Sequence, residues 1–292
     1  MPKSDPSLVR RRLGATLKML RGGAGMNLDE AAIALGLSGA SALSRIENGK
    51  RLVSTAALDA YFASYGVEDD SRRSELRKLV SLANSTWRES LQRQYRDAVP
   101  EFFADYLDLE DFADQADIFA PQIIPGILQT REYAHAVIDG RFQWRTEREV
   151  RAFAELCGQR QSLLMRDDPL SVWCVLDEAA LRRCVGGPVV QLEQLQHLLD
   201  IHDCLPHVQL QVLPFSAGAH PGIDGAHTVF RFDSSSPVVV VESLTTWICL
   251  EEHVPISQYN MIFDHLCAQA MDAAASHEFI RAVIMEQREA LG

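Results

Sequence analysis

Between residues 7 and 66, apolar positions recur at helical spacing and are broken repeatedly by glycine. Leu13, Leu17 and Leu20 fall on one side of a first helix that Gly22 and Gly23 bring to an end. Asn27 is placed to cap a second helix over residues 28–35, with Glu30 three residues on to complete a capping box. Gly36 then predicts a left-handed C-cap. Ser38 or Ser41 is placed to cap a third helix that turns Leu43 and Ile46 inward and stops at Asn48 and Gly49. A fourth helix runs from about residue 54 to residue 65 and closes at Gly66.

The pattern changes twice further on. Residues 67–74 read as a linker, and 75–95 as one amphipathic helix with Leu76, Leu79, Val80, Ala83 and Trp87 on one side. Past Pro100, residues 101–117 interleave acids with Phe102, Phe103, Tyr106, Leu107, Leu109 and Phe112 and contain no base. The expectation there is a helix with a solvated acidic face, the alternative being a face that binds a partner. From residue 118, β-branched and aromatic runs at 171–176, 208–213, 226–232, 237–242 and 245–250 predict strands. The last three are closely spaced and predict an antiparallel meander. Helical stretches lie at 130–138, 146–165, 189–203, 256–274 and 277–291. The expected architecture is an all-α N-terminal helix-turn-helix domain over 1–66 and a helical connector over 67–117. An α/β (α+β) domain with a mostly antiparallel sheet occupies 118–292.

A chain of 292 residues that is 47% hydrophobic buries a real core, so global disorder is excluded. Its formal net charge of −12 argues against nucleic acid until it is divided along the chain. Residues 1–66 hold nine Lys/Arg against five Asp/Glu, giving +4, and residues 67–292 hold 19 against 35, giving −16. A basic head sits on an acidic body. Charges are scattered through the first 23 residues without an apolar core for a secretory signal, and the longest run of Val, Leu and Ile is residues 238–241. The six cysteines lie far apart with no CxxC pair, which reads as reduced thiols. These features predict a cytoplasmic protein, associated with the nucleoid when on DNA.

Two short helices joined by a tight turn, the second carrying small polar residues on its outer side, form a helix-turn-helix. Ala32 is small where the helices must approach. Helix three leaves Ala40, Ser41, Ser44, Arg45 and Asn48 outward. Arg45 suits a bidentate contact to guanine or a grip on phosphate, and the two serines are short donors for close approach. Lys50 and Arg51 fall where phosphates would pass. Glu47 is the odd charge, best explained as one half of a structural ion pair with Arg10, Arg11 or Arg12 of helix one. The run Leu43-Ser44-Arg45-Ile46-Glu47-Asn48-Gly49-Lys50-Arg51 resembles the S-R-I-E-x-G-(K/R)-(K/R) signature of the Cro/repressor-like (Xre-type) helix-turn-helix family. That resemblance spans about residues 7–66 and implies the five-helix Xre fold, with recognition by the helix ending at Asn48. Two departures stand out: Leu28 replaces a glutamine that contacts phosphate in the family, and the interval from Gly36 to Glu47 is one residue longer.

The rest of the chain carries a second ordered set of strings. They are Pro125-Gly126-Ile127-Leu128-Gln129-Thr130 with Tyr133-Ala134, and Arg160-Gln161-Ser162-Leu163-Leu164. Leu176-Asp177-Glu178-Ala179-Ala180-Leu181-Arg182-Arg183 and the segment from Val212 to Gly222 come after them. Together they resemble the domain of uncharacterised function found behind Xre-type helices in actinobacterial regulators, described as antitoxin-like (Scr-type). The resemblance implies pairing with a small acidic partner protein.

Enzymatic chemistry finds little purchase. Asp177 and Glu178 are adjacent at a helix start and point apart, and Glu178 there is favourable with the helix dipole. His202, Cys204 and His207 match no metal-ligand spacing. Neither a G-x-S-x-G elbow nor a G-x-x-x-x-G-K-[ST] loop is present. No catalytic residue, metal or cofactor is expected. Phe215, His220 and His227, on and beside the Gly-rich segment 213–225, are the candidates for a ligand or partner contact. The leading reading is a homodimeric transcriptional regulator that binds a double-stranded DNA operator and no membrane. Its rivals are an antitoxin-like protein that sequesters a small partner, and an enzyme with an accessory DNA-binding head.

Overall fold

The computed structural model describes residues 7–84, 101–141, 146–233, 235–243 and 247–291. The chain divides into two compact units, one of residues 1–94 with 103–112, the other of residues 95–102 with 113–292. Trp87 and the end of the helix expected over 75–95 lie outside the described residues.

The first unit is helical: α1 (Leu8–Gly23), α2 (Leu28–Ala34), α3 (Ala40–Glu47), α4 (Leu58–Tyr65), α5 (Asp70–Ala83) and α6 (Glu101–Phe112). The capping box at α2 is present, Asn27 accepting from the Asp29 and Glu30 amides while Glu30 accepts from the Asn27 amide. Gly36 is left-handed at φ +64° after α2, and Gly66 at φ +65° after α4. The start of α3 differs from expectation, because neither Ser38 nor Ser41 caps it. Gly39 holds that position at φ 138°, a backbone region open to glycine. One core joins Leu13 and Leu17 of α1, Ala31 and Ala32 of α2, Leu43 and Ile46 of α3, and Phe62 of α4. Leu76, Leu79 and Val80 of α5 enter the same core, so the packed unit continues past residue 66.

The acidic stretch does not form one solvated face. Asp108 and Glu110 of α6 are buried, and α6 stops at Phe112. The next element is a strand, β1 (Gln115–Ala120), with Asp117 inside it.

The second unit is built on a six-stranded mixed sheet. Its strands are β1, β2 (Ser171–Asp177), β3 (Val208–Leu213), β4 (His227–Phe232), β5 (Ser235–Glu242) and β6 (Trp247–Leu250), in the order β3-β2-β1-β4-β5-β6. The β4–β5–β6 meander is antiparallel, as is β4 against β1. The β1–β2 and β2–β3 pairs are parallel, and helical crossovers connect them. These crossovers hold α7 (Arg131–Arg141) and α8 (Glu147–Arg160), then α9 (Glu178–Arg182) and α10 (Pro188–Cys204). Two C-terminal helices, α11 (His253–Gln269) and α12 (Ala273–Glu289), complete the unit. Phe263 and Leu266 of α11 pack on Phe119, Val175 and Leu213.

Several strings noted in the sequence serve as latches inside this unit. Gln194, fully buried, accepts from the Thr130 amide at 2.6 Å and donates to the Leu128 carbonyl at 2.8 Å. Gln129 donates to the Ile124 carbonyl at 2.6 Å, so the 125–130 turn is held by glutamine amides on several sides. Buried amides need such partners to avoid a desolvation cost.

Candidate nucleic-acid interface

Three contacts fix α3 in place. Gly14 lies in α1 against the end of α3, where a Cβ would sit 2.7 Å from the Glu47 carbonyl carbon. Gly49, left-handed at φ +68°, passes so close to α1 that a Cβ would sit 2.9 Å from the Arg10 carbonyl oxygen. The third contact is ionic. Arg21 Nε donates to Glu47 Oε1 at 2.6 Å and Nη2 donates to Glu47 Oε2 at 3.0 Å, a two-pronged pair. Its remaining nitrogen, Nη1, donates to the Met26 carbonyl at 2.8 Å in the turn before α2.

The ion pair expected for Glu47 is therefore made, but with Arg21 rather than Arg10, Arg11 or Arg12. The reason is position along α1: Arg21 stands in its last turn, beside the α1–α2 turn, while Arg10 Nε donates to the Ala83 carbonyl of α5. The hydrogen bond to Glu47 holds the Arg21 guanidinium above its ordinary pKa. Burial, with the Glu47 charge nearby, pushes the Tyr61 hydroxyl up to about 12.

Pinned this way, α3 leaves one side open. Arg45 and Ser41 are exposed along it, Ala40 and Ser44 are half-buried, and Lys50 and Arg51 are exposed just past its end. The Asn48 amide folds back, donating to the Ser44 carbonyl at 2.6 Å and to Ser44 Oγ at 3.4 Å. The Lys50 and Arg51 amides both donate to the Arg45 carbonyl, at 2.8 and 3.1 Å. Backbone hydrogen bonding thus sets where those two basic side chains leave the helix. An exposed guanidinium with two cations behind it can read a base edge and grip phosphates.

In the second unit, His220 and His227 come together against one ring: each has its ring centroid 5.7 Å from that of Phe119. His227 is buried, with Tyr259 on its other side at 5.0 Å, and burial lowers its pKa to about 4. Phe215 is 58% exposed and does not join them; its amide donates to Glu178 Oε2 at 2.8 Å. Glu178 also accepts from Arg182 Nε at 2.5 Å, so this carboxylate braces a loop. His207 faces the Leu164 carbonyl at 3.0 Å, while the His202 ring lies 5.0 Å from that of His277. The H-x-C-x-x-H spacing does not gather its members.

Residues 103–282, more than half of the chain, match the model of a family described as a domain of unknown function, DUF5753. The chain belongs to that family. Ahead of the DUF5753 region, residues 12–76 match the model of a helix-turn-helix domain, which covers α1 from its second turn through α4 and into α5. No curated protein and no solved structure matches this DUF5753 chain. Among the described residues, none of its helices is long and apolar enough to cross a membrane.

Gly14 and Arg21 escaped the sequence reading. A glycine between Leu13 and Leu17 in the middle of a helix signals close backbone approach, and would have pointed to the first. No comparable signal marks Arg21 over the other arginines of α1.

Proposed function

We propose that this DUF5753 protein is a sequence-specific transcriptional regulator and not an enzyme. It reads an operator as a homodimer, one α3 per half-site in the major groove, and acts in the cytoplasm at the nucleoid. One short helix makes too few base contacts for tight specific binding, and two half-sites are the physical solution. The observation that carries this reading is the open side of α3, where Arg45 stands exposed ahead of Lys50 and Arg51 on a helix locked by Arg21 and Glu47. The helix-turn-helix match supports the same reading. Within the unit, base contact falls first to Arg45, whose guanidinium suits a bidentate contact to guanine. Ala40, Ser41, Ser44, Asn48, Lys50 and Arg51 supply close approach and phosphate contacts.

Control comes through the DUF5753 region, by a small partner protein or a ligand. Phe215 and Ile223, exposed at 58% and 72% on the segment that Glu178 braces, favour a protein contact there. Genome-wide mapping of sites bound by the full chain tests the proposal: a recurrent two-half-site element supports it, and scattered binding without one removes it. Co-purification from native extract separates regulation from sequestration, since a stoichiometric small partner with no operator occupancy favours an antitoxin-like role.

A further inference from the structure

A polar cleft of about 460 Å³ opens at the end of the sheet where β1 and β2 begin and β4 ends. Phe119, His220 and His227 stand at the opposite strand ends, so this is a different place from the candidate contact loop. Its volume falls within the range of small-molecule sites. Arg231 and Asp233 line it from the end of β4, Gln115 and Ser171 from the starts of β1 and β2, and Arg166 and Asp168 from the loop before β2.

The construction beneath Arg231 sets the chemistry. Asp117, 1% exposed in the centre of the sheet, accepts from Arg231 Nε at 2.6 Å and from Gln115 Nε2 at 2.6 Å. Both oxygens of this buried carboxylate are therefore satisfied, and Arg231 is held by one edge only. Arg231 lines the cleft with its side chain 33% exposed, and among the described residues its two terminal nitrogens make no hydrogen bond. Asp233, exposed in the turn just past β4, lines the same cleft, and its carboxylate is unpaired among the described residues. The Asp233 amide is fixed, donating to Asp114 Oδ2 at 2.8 Å. Arg166 is oriented by its own loop, Nε donating to the Asp168 carbonyl at 2.6 Å.

Charge decides between ligand classes. Asp117 neutralises Arg231, which leaves Arg166 against Asp114, Asp168 and Asp233, so the cleft is acidic overall. A simple anion meets that repulsion, and a simple cation leaves the Arg231 donors empty. A ligand with an ammonium next to a carboxylate satisfies both groups at once. We propose that this cleft binds a small zwitterion of the α-amino-acid class, with its carboxylate on the Arg231 terminal nitrogens and its ammonium on Asp233. The binding claim stands apart from the DNA reading; only its consequence, a ligand-dependent change in operator affinity, rests on that reading.

Calorimetric titration of the full chain without DNA tests the claim, using the twenty common amino acids, their amides, acetate and methylamine as probes. At least one amino acid is expected to bind, and its amide, acetate and methylamine to bind about tenfold or more weaker, because each loses a charged hydrogen bond. Arg231→Lys keeps a cation beside Asp117 but removes the forked donors, and Asp233→Asn removes the ammonium partner. Each is expected to weaken binding about ten- to hundredfold while the unliganded melting temperature stays near wild type for Asp233→Asn. Absence of binding by every amino acid overturns the proposal. So does undiminished affinity in Asp233→Asn, or acetate or methylamine binding as tightly as the amino acid. Repeating operator binding with the amino acid present then reads the consequence separately.

Discussion

Gly14 and Glu47 meet with no room for a methyl group between them, and this contact sets how α1 seats the end of α3. Gly14→Ala places a Cβ against backbone atoms, which cannot swing aside as a side chain does. The expected loss is about 2 kcal/mol, exceeding the ~1 kcal/mol that alanine gains in a helix. A Cβ at Gly22, also in α1, would meet nothing within 4 Å, so Gly22→Ala is expected to stabilise slightly. Urea unfolding of the two variants side by side checks the sign of each.

Arg21 and Glu47 form a pair whose value shows when one member is removed. Glu47→Gln leaves the Arg21 charge half-satisfied in a site where its side chain is 13% exposed, at a cost of about 2–4 kcal/mol. The double change Arg21→Met with Glu47→Leu removes both charges together and is expected to recover most of that loss. A double-mutant cycle by denaturation measures the coupling; additive losses would contradict it.

His227 gives the fold an acid dependence of definite sign. Its folded pKa of about 4 lies below the ordinary 6.5, so the unfolded chain takes up the proton first as pH falls. Stability from this group is complete above pH 6.5, declines through the window down to about pH 4, and levels off below it. The decline amounts to about 3 kcal/mol. His227→Phe keeps a ring between Phe119 and Tyr259 and removes the titration. Its melting temperature is expected to fall less steeply than wild type over that window, and parallel curves would exclude His227 as the source.

Phosphate contact predicts a salt dependence. Lys50→Ala and Arg51→Ala are each expected to weaken binding uniformly across sequences and to lower the log–log salt slope by about 1. Affinity measured over a salt series checks this; an unchanged slope means that the side chain does not reach a phosphate.

Much of the first unit was legible because its signals are local. Asn27 with Glu30, Gly36 and Gly66 act within one turn of their own backbone, and spacing along the chain is enough to place them. The Arg21–Glu47 pair is not local: 26 residues separate its members, and choosing among the arginines of α1 needs the angle between two helices. In the second unit, the meander and the strands β2 and β3 were legible from their β-rich runs, but β1 and the parallel pairing around it were not. Its central strand β1 carries Asp117 in a run of acids, and that charge reads as a solvated helix face until Arg231, 114 residues away, is seen to pair with it. Likewise the bracing of the Phe215 amide by Glu178, and of the 125–130 turn by Gln194, joins residues 37 and 64 positions apart, which no local spacing reveals.

The most direct test of the account is operator binding by Arg45→Ala. Fluorescence anisotropy on a mapped site and on scrambled DNA of the same length, at one fixed salt concentration, separates specific from non-specific affinity. The expected result is a variant that melts like wild type, keeps its affinity for scrambled DNA within a fewfold, and loses about tenfold or more on the mapped site. A variant that still prefers the mapped site as strongly as wild type would contradict the assignment of α3 as the reading helix.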